Sequence, residues 1–243
     1  LVIASLDGTL TDVQWDNIAF EYLVDVSWGE GHDPLILVST RDQKHMQVLS
    51  VDTTTGATRV EADIHDPHWI DAAPGATTWL KDGRLLTLRA DRESDTYRLH
   101  AGSDWLSPAG LQIRDVVGID DSGVLVSVAP DPMSATLVHI GLDGSSRPVG
   151  PETGWIMGRS TAGTTVINER QFTTTEVTYR VERGGGTHQI TSHAERPHFT
   201  PDVTIIEAGP HKVLTAVIFP SNHVPGSAKL PILMSPYGGP HFG

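Results

Sequence analysis

From Leu1 to His193 the apolar residues fall in short runs and show little helical spacing. The runs are rich in Val, Ile, Leu, Thr and Trp, and Asp- and Gly-containing turns separate them. The turn signals are Asp7-Gly8, Asp52 to Gly56, Asp82-Gly83, Asp121 to Gly123, Asp143-Gly144 and Gly184 to Gly186. Apolar runs bounded by such turns predict strands joined as hairpins, because Asp and Gly accept the tight backbone geometry a hairpin needs.

The runs recur in units of roughly forty residues, the length of one four-stranded propeller blade. The first unit runs from Phe20-Glu-Tyr-Leu-Val through Leu35-Ile-Leu-Val and Met46 to Val51, ending at Thr58-Arg-Val. The second holds Thr77 to Leu80, Arg84 to Leu88 and Thr96 to Leu99; the third holds Ile113 to Ile119, Val124 to Val128 and Ala135 to Ile140. The fourth holds Trp155-Ile-Met, Thr164 to Asn168, Val177 to Val181 and His188 to Thr191. Leu1 to Gln14 reads as part of another unit. The loop between second and third strands is polar each time: Arg41 to His45, Asp91 to Asp95, Asp131 to Ser134 and Gln171 to Glu176. The expected fold is mainly β, a partial β-propeller of about four to five four-stranded blades over residues 1–197. A β-sandwich is the alternative, and the regular spacing favours the propeller.

The texture changes at His198. Pro201 to Glu207 and Leu214 to Phe219 predict two strands, and Pro220 to Lys229 reads as a soft linker. Leu230 to Met234 is an apolar run that suits a buried strand. Pro236, Tyr237, Gly238, Gly239 and Pro240 then break it into a sharp turn. A buried strand ending in a glycine turn is where α/β-hydrolases place an oxyanion hole, since donors there approach a reacting carbonyl closely.

A strand followed by Tyr237-Gly-Gly-Pro240, after a linker of the type Phe219-Pro-Ser-Asn222, resembles the prolyl oligopeptidase family, most closely its dipeptidyl-peptidase IV-like serine peptidases. The resemblance implies that residues 198–243 are the linker and first strands of an α/β-hydrolase catalytic domain. It also implies that the Tyr237 hydroxyl donates to the tetrahedral oxyanion, and that further blades lie upstream. The implied substrate is a short peptide cleaved after proline or alanine, with the propeller gating access by size. No Gly-x-Ser-x-Gly elbow is present. The resemblance therefore places serine, aspartate and histidine beyond Gly243 and predicts a piece of a longer chain, inactive by itself. The family's glutamate pair for a free amino terminus is not found here, which leaves the exopeptidase subtype open.

Composition narrows the partners. A formal charge of −13 repels phosphate backbones and argues against nucleic acid. There is no cysteine, hence no disulfide or thiolate metal site, and the compartment stays open. No apolar run reaches membrane-spanning length. No motif implies a cofactor. An incomplete set of blades would expose sheet edges and invite pairing with a second copy.

Other polar clusters have plainer readings. His65-Asp-Pro-His68 carries metal-compatible residue types but reads first as a polar loop before Trp69. His193 and His198 flank the junction to the tail. Arg41-Asp42 and Arg92-Glu93 recur after second strands, as solvated hairpin tips or as contacts at a propeller mouth. Trp28, Trp69, Trp79 and Trp155 are expected to pack between blades. Gly184-Gly-Gly186 is a hairpin turn, and no phosphate-loop motif is present. A non-enzymatic propeller serving as an interaction platform fits the blades equally well.

Overall fold

The structure, a computed structural model, describes residues 1–29, 31–71, 75–150, 154–224 and 226–236, and every element in them is a strand. An N-terminal hairpin, β1 (Val2–Ala4) and β2 (Leu10–Asp12), precedes the first blade. That blade is β3 (Tyr22–Ser27), β4 (Leu35–Ser39), β5 (His45–Val51) and β6 (Thr58–His65). The second is β7 (Thr78–Trp79), β8 (Leu85–Asp91), β9 (Thr96–Ala101) and β10 (Asp104–Trp105). The third is β11 (Ile113–Asp120), β12 (Gly123–Val128), β13 (Thr136–Gly141) and β14 (Ser146–Val149). The fourth is β15 (Trp155–Thr161), β16 (Thr164–Arg170), β17 (Val177–Arg183) and β18 (Gly186–Ile190). A second hairpin, β19 (Asp202–Ala208) and β20 (Val213–Phe219), follows. Each blade is an antiparallel meander with its strands hydrogen-bonded in sequence order.

What separates a propeller from a sandwich is whether a sheet is covered on one face or on two. Successive side chains on a strand point to opposite faces. In the first blade Ile36, Val38, Leu49 and Val51 pack with Val13, Phe20, Ile3 and Trp15 from the N-terminal side. Their neighbours Leu35, Leu37, Met46 and Val48 pack with Leu85 and Trp79 of the second blade. The third blade repeats this. Val124, Val126, Val128, Val138 and Ile140 join Leu86 and Leu99 of the second blade, whereas Leu125 and Leu137 join Ile156 and Ile167 of the fourth. The middle strands are thus buried on both faces, which is why β4 opens with an unbroken apolar run, Leu35 to Val38, and has all five residues buried. Sheets stacked face to face in this way make a propeller-type array.

Two glycines mark close approaches. Gly56, at φ 73°, closes the β5–β6 turn against the N-terminal hairpin, and a Cβ there would stand 1.9 Å from the Asp12 carbonyl oxygen. The Gly56 carbonyl accepts from the Gln14 amide at 2.8 Å, and the Thr58 hydroxyl donates to the Gln14 carbonyl at 2.6 Å. Gly118 performs the same service between the third and fourth blades.

The structure differs from the sequence reading in three places. The fourth strands of the second and third blades, β10 and β14, carry little apolar pattern and were not expected. Leu230 to Met234 does not form the expected buried strand. It pairs with no described strand, and Ile232 and Leu233 are 86% and 96% exposed; an extended segment with no ladder partner has neither backbone bonds nor a surface to bury it. The tail strands that do form, β19 and β20, are a single antiparallel hairpin. Finally, Trp28, Trp69 and Trp155 are exposed, and only Trp79 of the four expected packs against a blade core. Trp79 has a reason to sit there: its indole N–H reaches the Asp33 carbonyl at 2.9 Å, so the ring can be covered without stranding a donor.

Candidate functional site

In an up-and-down blade, the turn between second and third strands emerges at the same end as the link from the fourth strand to the next blade. At the first blade these are the β4–β5 turn and the segment after β6. They are tied together: the Ile70 amide donates to the Gln43 carbonyl at 2.8 Å, the Asp66 amide to the Lys44 carbonyl at 2.9 Å, and the Trp69 indole to the Gln43 side chain. Between them lies a groove lined by Thr40, Arg41, Asp42, Lys44, His45, His65, Asp66 and Pro67.

Two of the lining residues, His45 and His65, belong to a histidine–aspartate cluster set by strand register. His45 opens β5 and stands directly opposite His65, the last residue of β6; Gln47 stands opposite Asp63. The period of two puts all four side chains on one face. That pairing depends on a bulge. Leu49 pairs with Val60 but Val48 pairs with Ala62, so Glu61 is the extra residue. Without that slip Ile64 would face His45, and the face would be apolar.

Within the cluster, His45 Nε2 is 2.6 Å from Asp63 Oδ1 and His65 Nε2 is 3.2 Å from Asp63 Oδ2. The Gln47 amide donates to Asp63 Oδ1 at 3.0 Å. The imidazoles stack with centroids 3.8 Å apart, and Phe20 meets His45 edge-on at 4.7 Å. The His45 hydrogen bond, with help from Gln47 and His65, lowers the Asp63 carboxyl to about 2, so it is an anion at neutral pH.

The adjoining polar residues hold the blades together. Arg92, at the β8–β9 turn, pairs with Asp66 at 2.8 Å, joining the second blade to the first. The Asp66 carboxylate also accepts the His68 and Trp69 amides at 2.7 and 3.2 Å. Arg92 and these amides bring its carboxyl to about 2. The segment His65 to His68 is therefore a capped polar loop, as its plainer reading expects; His65 finds its partners in Asp63 and His45, not in His68. Arg92 turns out to be an inter-blade clasp, whereas Arg41 pairs with Glu21 at 3.7 Å on the surface. His193 and His198 are exposed and belong to no strand. Tyr237, the oxyanion donor implied by the resemblance, lies outside the described residues, and so does the glycine turn after it. The sequence reading missed His45 and Asp63. The available signal was the alternation Asp63-x-His65 at a strand end, but nothing in it points to His45, eighteen residues before Asp63.

Residues 2–104 match the family model of the dipeptidyl peptidase IV N-terminal region. Among solved structures, the chain is similar to dipeptidyl peptidase 4 of Porphyromonas gingivalis, with a TM-score of 0.69 and 11% identity over 89% of this chain and 34% of that one. It is also similar to a protein assigned as a dipeptidyl aminopeptidase IV from Bacteroides ovatus, with a TM-score of 0.57 and 11% identity over 84% of this chain and 34% of that one. No curated protein matches the sequence. The chain thus spans about a third of the length of these solved relatives. Residues 2–104 are thus similar to the N-terminal region of dipeptidyl peptidase IV, and the blades beyond them continue the same fold.

Proposed function

We propose that this chain is the propeller-bearing part of a dipeptidyl-peptidase IV-like serine peptidase. Its blades would gate a catalytic domain that begins within residues 198–243. The observation that supports this most is the coincidence of the family match over residues 2–104 with a blade array that follows the fold of P. gingivalis dipeptidyl peptidase 4 across 89% of the chain. On this reading the substrate is a short peptide cleaved after proline or alanine by acyl-enzyme chemistry. Tyr237 donates its hydroxyl to the oxyanion of the tetrahedral intermediate. The 243-residue chain has no nucleophile elbow and is inactive alone.

The test compares the 243-residue chain with the longest natural open reading frame containing it, on Gly-Pro and Ala-Pro chromogenic amides. The long form should hydrolyse them and lose activity to a serine-directed inhibitor; the short form should not. In the long form Tyr237→Phe should lower kcat by about 100-fold or more with KM little changed, the usual cost of removing one oxyanion donor. Unchanged turnover removes Tyr237 from the chemistry. An inactive long form with no Gly-x-Ser-x-Gly sequence replaces the peptidase with a non-enzymatic interaction platform.

A further inference from the structure

The His45, Asp63 and His65 cluster does nothing for peptide cleavage on the reading above, yet it brings together two imidazoles and a carboxylate at a groove. We propose that it is a binding site for one divalent transition metal ion of the zinc type. The candidate ligand atoms, one from each residue, lie within 4.8 Å of one another. Bonds of about 2.1 Å to a tetrahedral ion need ligand atoms about 3.4 Å apart, so closure asks for shifts of about 1 Å. Those shifts are available. The side chains of His65 and Asp63 are 62% and 48% exposed, and ring rotation at the end of β6 disturbs no core residue. His45 is the fixed member, with its side chain 28% exposed and its ring against the buried Phe20.

Three further features fit a metal better than a simple ion pair. Both Nε2 atoms lie against the same carboxylate, one at each oxygen, so a metal ion would take the place of the Nε2–H protons that now bridge these groups, with the stacked rings turning apart to admit it. Gln47 orients the carboxylate from behind, as outer partners do around metal ligands. The ligand set, two neutral nitrogens and one anionic oxygen, suits zinc, nickel or copper and is poor for magnesium or calcium, which prefer all-oxygen sites. Three protein ligands leave at least one position open to the groove beside Thr40 and Asp66. Binding would staple the start of β5 to the end of β6, next to the Arg92–Asp66 clasp. The positive charges of Arg41 and Lys44 nearby oppose it and limit affinity.

The experiment uses the tag-free 243-residue chain at about pH 7.5, where imidazole lone pairs are available to a metal. Zn²⁺ is titrated by calorimetry and by competition with a chromogenic chelator, and Cu²⁺ is added for electron paramagnetic resonance. The expected result is one Zn²⁺ per chain, held more tightly than by free histidine, and a Cu²⁺ spectrum with hyperfine structure from two nitrogens. Asp63→Asn and His65→Ala should each weaken Zn²⁺ at least 10-fold, and His45→Gln should reduce the nitrogen count to one. All three positions are solvent-accessible at a strand end, and circular dichroism checks that each variant keeps its fold. The chain carries 12 histidines. Zn²⁺ binding of equal affinity in wild type and His65→Ala, or no site tighter than free histidine provides, overturns the assignment.

Discussion

The third and fourth blades approach most closely at Gly118, and replacing it with alanine tests their stacking directly. Gly118 lies on β11 and faces β15 of the next blade. A Cβ there would stand 2.4 Å from the Ser160 carbonyl oxygen, 2.6 Å from its Cβ and 3.0 Å from its carbonyl carbon. Ordinary contact begins near 3.4 Å, so the overlap is about 1 Å. It falls on backbone, which cannot rotate away as a side-chain tip can. Ser160 is paired with Thr165 on β16, so moving it drags the whole β15–β16 ladder. That ladder is pinned to the third blade from several sides: by Asp115–Arg159 at 2.6 Å, by the Ile156 amide on the Ala135 carbonyl at 2.8 Å, and by the Val117, Leu125, Leu137, Ile156 and Ile167 cluster.

Relief therefore opens the seam between blades. Overpacking of this kind costs about 1–3 kcal/mol, and a rigid backbone neighbour puts Gly118→Ala at the upper end, about 2–3 kcal/mol. For a chain of this size each kcal/mol moves Tm by about 2–4 °C, so the midpoint should fall by about 4–12 °C. Thermal unfolding followed by far-ultraviolet circular dichroism, at fixed concentration and scan rate, reads it. Gly186→Ala is the control. Its φ is not left-handed and the nearest atom to an added Cβ is the Arg183 carbonyl oxygen at 3.4 Å, so its midpoint should move by no more than about 2 °C. If Gly118→Ala melts with Gly186→Ala and the wild type, β11 and β15 do not meet as described, and the face-to-face stacking is wrong at this seam.

Two further outcomes follow from the same packing. Ile167 is fully buried between the third and fourth blades, so Ile167→Val should cost about 1 kcal/mol and Ile167→Ala about 2–5 kcal/mol in urea unfolding; equal midpoints would mean the seam is not close-packed. The Asp91 carboxylate accepts from Arg98 at 2.8 Å and from the Ser94 hydroxyl at 2.8 Å, and Arg98 above all holds its carboxyl below the usual range. The folded state thus resists protonating Asp91 more than the unfolded chain does. The stabilisation is complete above about pH 4 and is lost as pH falls further, so Asp91→Asn should flatten the acid limb of a stability–pH curve, and an unchanged limb would show that the Arg98 pair contributes nothing there.

The blades were legible because burial on both faces leaves its mark on the middle strands. Leu35-Ile-Leu-Val and Val124-Leu-Val-Ser-Val are apolar at every register position that counts, and each is bounded by Asp- or Gly-containing turns. The outer strands are a different matter. β14 is Ser146-Arg-Pro-Val and β10 is Asp104-Trp, and both are placed by hydrogen bonds to a neighbour rather than by burial of their own side chains. Trp28, Trp69 and Trp155 misled for a related reason. A large ring next to a strand pattern looks like core, but burial also needs a partner for the indole N–H and an opposing surface, and only Trp79 has both. At the tail, Leu230 to Met234 has the composition of a buried strand and no described strand to lie against.

The cluster of His45, Asp63 and His65 shows where linear reading stops. Its residues are ordinary taken singly, and the metal-compatible motif His65-Asp-Pro-His68 divides in the structure: Asp66 turns to Arg92 and its own loop, and His65 turns back across the sheet. What joins His65 to His45 is the one-residue slip at Glu61. Before the slip, Val60 pairs with Leu49; after it, Ala62 pairs with Val48, and every later side chain of β6 changes face. Ile64 consequently joins the core with Met46 and Leu85, while Asp63 and His65 come opposite Gln47 and His45 on the other face. The same slip therefore feeds the hydrophobic seam between the first two blades and assembles a polar site on the other face of the strand. The polar face cannot be lost without also turning Ile64 out of the seam. A bulge that serves packing thus brings the cluster's side chains to one face without any contribution from the histidines themselves.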